Sequence, residues 1–264
     1  MALTPLNPQS FAGHTWRPMD SSAFARNVSL VELNASELPA AACHLPVGFV
    51  RNADGQLGLH AVLGVQPGKN LFVAADGSWL GGYWPLRLRL APFALARSEA
   101  GDTLLCLNDE WWTPAPEHGH AFYAEGGQLS EQTAAVLQAG QQLLAGQAQT
   151  HALCTAMDEA GLIQPWNPTI PTEQGNIQLE GLSAINEAAL NALDAATLHR
   201  LHSSGALALA YCQLISMQHL AKLSELANAH ARLEARASIA PPAPPGADLQ
   251  LNFLDNDTMT FGNA

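Results

Sequence analysis

The sequence predicts an α+β domain in which an antiparallel, strand-rich N-terminal half packs with a helical C-terminal half. Three observations carry this reading. Before residue 110 the chain is a series of short apolar runs separated by Gly, Pro and Asp-Gly pairs. After residue 128 the apolar spacing changes to the helical period of about 3.6. At "APPAPPGA" four prolines in eight residues end the pattern. Residues 1–25 then form an irregular lead-in and residues 26–237 the α+β domain, strand-rich over 26–125 and helical over 126–237. Residues 238–264 form a Pro-rich linker and a short acidic-aromatic tail.

The elements follow in order. "VSLVEL" at 28–33 alternates and reads as a strand. "ASELPAAACH" reads as a short helix with Ser36 as N-cap, ending near His44. "PVGFV", the turn "RNADGQ" and "LGLHAVLGV" form a hairpin around Asp54-Gly55. "NLFVAA", Asp76-Gly77 and "SWLGGYW" repeat the pattern, and "RLRLAPFALA" and "TLLCLN" complete five to seven strands. Links this short exclude parallel crossovers, so the pairing is antiparallel.

Beyond residue 128, Ser130 caps a helix carrying Val136, Leu137, Leu143 and Leu144 on one face. A second helix carries Leu153, Ala156, Met157 and Ala160, with Gly161 in place to end it. "LIQPWN" and "NIQLEGLSAIN" look extended. "DAATLHRLHSSG" is a short helix between Asp194 and Gly205. The longest helix is expected from Ala206 to about Arg236, its first half apolar almost all round and so buried.

The chain has 264 residues and a net charge of −12. Charged residues make up 13%, well below the usual ~25%. No Lys or Arg lies between Arg97 and Arg200, a stretch holding 13 acids. Nucleic-acid affinity rests on cations that neutralise phosphates, so no nucleic-acid partner is expected. No apolar run reaches the ~18–20 residues that span a bilayer. Cys43, Cys106, Cys154 and Cys212 are scattered among apolar residues and are expected to be free and buried. The first twenty residues show no charged segment followed by an apolar one, so a cytoplasmic location is expected.

No G-x-G-x-x-G opening a helix, no phosphate-binding loop and no G-x-S-x-G is found. His118, His120 and Glu117 are the most ligand-like cluster, since alternating histidines can face one metal. Pro114 and Pro116 place them in a loop, and no metal and no cofactor are favoured. The binding candidates are aromatic. Trp79, Tyr83, Trp84, Arg87 and Arg89 combine the residue types that dominate binding surfaces, beside Gly81-Gly82. They are expected at or beside the main pocket, with Arg89 serving an anion or a structural carboxylate. Trp111 and Trp112 are adjacent, so on a strand they face opposite sides and at least one needs cover. The tail sets Leu249, Leu251, Phe253, Leu254, Met259 and Phe261 among Asp248, Asp255 and Asp257. Such a segment docks as an extended strand on an exposed edge or groove, either of its own domain or of a protein or peptide partner.

An ordered set of pieces is familiar: His44-Leu45-Pro46-Val47, Leu63-Gly64, Asn70-Leu71-Phe72-Val73, Trp79, Tyr83, Pro85, Arg89 and Pro92-Phe93. Gly161-Leu162-Ile163, Pro165-Trp166, Gly181-Leu182, Ile185-Asn186-Glu187, Gly205-Ala206-Leu207, Tyr211, Leu214, Ser216 and Lys222-Leu223 follow. Over residues 24–226 the chain resembles the SapC family, named for a protein linked to bacterial surface-layer expression. Leu90-Ala91 stands where that family usually shows an Arg pair or Arg-Tyr. The resemblance implies a bacterial protein encoded beside halogenase-like proteins, cupin-like oxygenases and outer-membrane receptors, and it implies no catalytic residues.

Two functions are expected from these readings. The first is an accessory or binding protein with an aromatic-lined site for a peptide or small molecule. The second is an enzyme or enzyme subunit of a modification pathway, metal-dependent in one version.

Overall fold

The structure is a computed structural model that describes residues 3–97, 103–108, 112 and 119–239. Its main sheet has five antiparallel strands in the order β3-β5-β4-β12-β9. β3 (Leu30–Leu33), β4 (Val47–Arg51) and β5 (Leu57–Val62) come from the N-terminal half. β9 (Ile163–Trp166) and β12 (Leu182–Ile185) come from the C-terminal half. The sheet therefore interleaves the two halves. The hairpin expected around Asp54-Gly55 joins β4 to β5, with Val47 opposite Ala61 and Phe49 opposite Leu59. These residues and Val31, Leu33, Leu38 and Leu45 are fully or almost fully buried and form the centre of the core.

A second sheet, in the order β1-β7-β6, joins β1 (Leu3–Pro5), β6 (Phe93–Arg97) and β7 (Thr103–Asn108). It has its own apolar cluster of Phe11, Trp16, Phe93, Leu105, Leu107 and Phe122. β2 (Thr15–Trp16) and β8 (His120–Ala121) pair beside it, and β10 (Thr169–Thr172) pairs with β11 (Gly175–Gln178). α1 (Pro8–Phe11) is a single turn that supplies Phe11.

One helix serves both cores. α4 (Glu131–Glu159) is 29 residues long, or about 43 Å at 1.5 Å per residue. It replaces the two helices expected from the sequence. Ser130 caps it by accepting from the Thr133 N–H, as expected. Leu162 N–H bonds Met157 O, and Gly161 N–H, at φ +70°, bonds Asp158 O, which is the αL ending that glycine favours. Gly140 and Gly146 lie inside it because side chains press there. A Cβ on Gly140 would sit 2.6 Å from Leu95 Cδ1, and one on Gly146 would sit 2.5 Å from Asn34 Nδ2. Asn34 Nδ2 donates to Leu143 O at 2.9 Å, and Thr150 Oγ1 accepts from Ala35 N–H at 2.7 Å. The turn after β3 is thereby pinned to the middle of α4.

Several expected elements differ. α2 (Leu38–Ala42) begins after Glu37, and no side chain caps it; Ser36 does not take that role. The strand expected over 87–96 is divided. α3 (Leu86–Arg89) is a helical turn after Pro85, and only then does β6 begin. Pro85 ahead of this stretch and Pro92 inside it each lack the N–H that a ladder needs. Residues 70–80 form a folded loop with one bridge between Val73 and Trp79; Asn70 anchors it by donating to Ala25 O and accepting from Phe72 N–H.

α5 (Glu187–Asn191) and α6 (Ala195–Ser204) follow, and Asp194 caps α6 through the Ala196 and Thr197 N–H groups. The helix expected from Ala206 to Arg236 is broken into α7 (Ala206–Ser216), a 3₁₀ turn at Met217–His219, and α8 (Leu220–Ile239). Ser216 Oγ donates back to Gln213 O at 2.6 Å and accepts from Val47 N–H at 3.1 Å. Such back-bonding bends helices. α7 is also not buried all round: Leu209, Ala210 and Gln213 face inward, while Tyr211 and Ile215 are exposed. Cys106 and Cys154 are buried as expected, but Cys43 is exposed and Cys212 half-buried; all four are free. No helix among the described residues is long and apolar enough to cross a membrane.

Candidate functional site

The register of the main sheet creates a polar cluster. β3 and β5 place Glu32 directly opposite His60, in strands that are otherwise apolar. Opposed residues share a face, so both side chains project to the same side. α4 brings Gln147 and His151 to the same place. Glu32 Oε1 accepts from Gln147 Nε2 at 2.6 Å and lies 3.2 Å from His151 Nε2. Its Oε2 accepts from Arg87 Nη2, on α3, at 2.8 Å. A Cβ on Gly58 would lie 3.3–3.6 Å from His60 Cε1, His151 Nε2 and Glu32 Oε1, so three side chains converge over that glycine.

Burial holds the His60 pKa below 6.5, although the Gly58 carbonyl and Glu32 pull it up. Arg87 and His151, which also face it, add to the lowering. His60 is thus neutral in the fold at pH 7 and binds its proton more tightly when unfolded. Stability from this group is full above pH 6.5 and is lost as pH falls from there through the folded value. The slope for one proton is at most about 1.4 kcal/mol per pH unit. Urea unfolding between pH 7.5 and 5 is expected to show this loss in the native chain and a shallower one in His60→Gln. Parallel slopes would exclude the assignment. Burial, helped by the charge of Glu32, pushes the Cys154 thiol up to about 12. It is not a thiolate nucleophile at neutral pH.

Glu32, His60 and Arg87 form one wall of a cavity of about 530 Å³ between the two cores. The other walls are mainly apolar: Leu88, Leu90, Phe93 and Leu95 on one side, with Asn108, and Leu143 and Leu144 of α4 on the other. A second lobe of about 500 Å³ shares Leu90 and Leu143 and reaches Asn34, Arg89 and Gln142.

The aromatic residues singled out in the sequence form one connected unit. Phe24, Trp84, Trp79 and Phe72 stack in series, with Trp79 and Trp84 at 6.0 Å and 14°. Trp79 Nε1 donates to Tyr83 O at 2.9 Å. Tyr83 Oη donates to Glu37 Oε2 at 2.9 Å, and burial, then the Glu37 charge, raise its pKa. Glu37 also accepts from Leu86 N–H, which fixes α3 and with it Arg87. Arg89 is exposed, donates from Nε to Trp84 O at 2.8 Å and lies 5.2 Å over the Tyr83 ring. Trp84 and Arg89 line a recess of about 170 Å³, and Trp84 Nε1 has no partner among the described residues. Arg87 faces the large cavity; Trp79 and Tyr83 stand behind it.

Trp112 is in the other core, edge-on to Phe11 and Phe122. Trp111, Glu117 and His118 lie outside the described residues. His120 is exposed on β8 beside Trp16. Among the described residues no group of three or more His, Cys, Asp or Glu is placed to hold a metal. Sequence reading missed Glu32, Glu37, His60, Gln147 and His151. For Glu32 and His60 the signal available was a lone charged or imidazole side chain inside an apolar strand.

Searches of curated proteins and of solved structures find no match. Residues 6–223 match the model of the SapC family, a span that begins earlier than the 24–226 read from the motifs. The chain belongs to the SapC family.

Proposed function

We propose that the protein is an accessory binding protein whose ligand enters the cleft between the two cores. The observation that carries this reading is the 530 Å³ cavity, apolar on most sides with one polar wall at Glu32, His60 and Arg87. Small-molecule sites have this character: apolar walls with a few fixed polar groups. The ligand is a small molecule or short peptide with an apolar body and a polar end that both accepts and donates hydrogen bonds. Arg87 offers donors and Glu32 acceptors, and each partly neutralises the other. The stack of Trp79, Tyr83 and Trp84 supports the turn that aims Arg87, and the neighbouring recess extends the site.

The probe is 8-anilinonaphthalene-1-sulfonate, an aromatic body with an anionic end. It is expected to bind the native chain saturably at one site. Leu143→Asp, in the wall shared by both lobes, is expected to weaken it by about tenfold or more, because a carboxylate is desolvated against apolar rings. Leu233→Asp, on the exposed side of α8, is expected to leave it unchanged. Equal binding by all three folded chains would sink the proposal.

A further inference from the structure

We infer that the ligand of the cleft is an organic acid whose carboxylate is held by Arg89, with its apolar body in the second lobe. The inference rests on the reading of the cleft as a ligand site and names the class of ligand.

Charge sets Arg89 apart. Arg17, Arg51, Arg87 and Arg232 each pair with a carboxylate. Arg87, on the polar wall of the large cavity, is thereby occupied by Glu32. Arg89 stands in the same helical turn and has no carboxylate partner among the described residues. With 23 acids against 11 bases in the chain, this is not for want of acids. Glu37 is near enough to act, with Arg89, on the Tyr83 hydroxyl. Yet it forms no ion pair with Arg89, and it already accepts from Asn34, Tyr83 and Leu86.

The side chain is also held in place. Its Nε donates to Trp84 O at 2.8 Å, and the guanidinium lies 5.2 Å from the centre of the Tyr83 ring. The two Nη groups have no acceptor among the described residues. A planar guanidinium fork matches the two oxygens of a carboxylate. A fork that is already oriented loses less freedom when it binds.

The surroundings select the rest of the ligand. Arg89 lines both the lobe of about 500 Å³ and the recess of about 170 Å³. Leu90, Val136 and Leu143 give the lobe an apolar bed. Trp84 lines the recess, and its Nε1 is buried without an acceptor among the described residues. Buried N–H groups left unpaired are uncommon in native folds. The oxygens of a carboxylate seated on Arg89 are acceptors that the fold itself does not provide there. One guanidinium with the charge of Glu37 nearby suits a single negative charge, so a carboxylate fits better than a doubly charged phosphate.

Calorimetry on the full chain tests this with octanoate and with 1-octanol, the same chain carrying a neutral head. The native chain is expected to bind octanoate about tenfold or more tightly than 1-octanol, the effect of charge-assisted hydrogen bonds. Arg200→Gln, which removes an exposed charge on α6, is expected to keep that preference. Arg89→Gln is expected to bind the two compounds nearly alike, with 1-octanol unchanged. If Arg89→Gln loses 1-octanol as well, Arg89→Lys decides, because it keeps the charge: a preference for octanoate supports the inference and parity overturns it. Parity in the native chain, or no binding of octanoate, overturns it. So does a preference that survives in Arg89→Gln, because the anion then sits elsewhere. Parity together with Leu143-dependent binding of anilinonaphthalene sulfonate removes the carboxylate and keeps the cleft as a site. Octanoate binding that needs Arg89 but tolerates Leu143→Asp keeps the carboxylate on Arg89 and overturns the cleft as the place of the apolar body.

Discussion

Replacing Glu37 by alanine is expected to lower the unfolding free energy by about 3–5 kcal/mol, from the donors it strands. Glu37 is 5% exposed and accepts three hydrogen bonds. They come from Asn34 N–H at 3.0 Å, Tyr83 Oη at 2.9 Å and Leu86 N–H at 2.9 Å. Two of these donors are backbone groups, which cannot turn to find water without moving the chain. Each buried donor left unpaired costs about 1–3 kcal/mol. Thermal unfolding reads the effect at about 2–4 °C per kcal/mol for a chain of this size. Because the carboxylate holds the β3 turn, Tyr83 and α3 together, the variant is also expected to bind the probe more weakly as Arg87 loses its fixed position. A shift of under 2 °C would show that the three donors find other partners.

Gln213→Leu is the second large effect, with an expected loss of about 2–4 kcal/mol. Gln213 is fully buried; its Oε1 accepts from Ile185 N–H and its Nε2 donates to Val47 O, each at 3.0 Å. Ser183 pairs with Phe49 where β12 meets β4, so the same register would bring Ile185 opposite Val47. At that point the side-chain amide of α7 stands in for a ladder bond. Leucine fills a similar volume and removes neither backbone group, so the Ile185 N–H remains buried without its partner and the Val47 C=O keeps only the longer bond from Ser216 Oγ, at 3.4 Å. Gln213→Glu keeps the acceptor for Ile185 but has no donor for Val47. Urea midpoints are expected to fall in both variants with little change in slope. An unchanged midpoint in Gln213→Leu would show that β12 and β4 close on each other directly.

The strands at 30–33, 47–51 and 57–62 were legible for two reasons: the first alternates between exposed and buried positions, and the other two are short apolar runs bounded by turn residues and buried on both faces over most of their length. Ser130, Gly161, Asp194 and Gly205 marked helix ends correctly because capping is local chemistry. What failed was tertiary. The run from Arg87 to Ala96 has strand composition, but Pro85 ahead of it, Pro92 within it and the bond from Leu86 to Glu37 turn its first part into α3. Nothing near Ser216 in sequence announces that Val47, 169 residues away, bends the helix there. The aromatic and arginine residues from Trp79 to Arg89 stood out by type, and they do form one unit. Glu32, His60 and His151 did not stand out, because their meeting depends on strand register and on where α4 crosses the sheet.

The interleaving of the main sheet has a consequence during synthesis. β4 pairs on one side with β5, which follows it almost at once, and on the other with β12. From Arg51 to Ile185 the ribosome must add 134 residues, taking roughly 7–27 s at ~5–20 residues per second. Throughout that interval the nascent chain carries an apolar strand with one side unpaired. Val47 and Phe49, fully buried at the end, are then what a holding chaperone or a neighbouring nascent chain meets first.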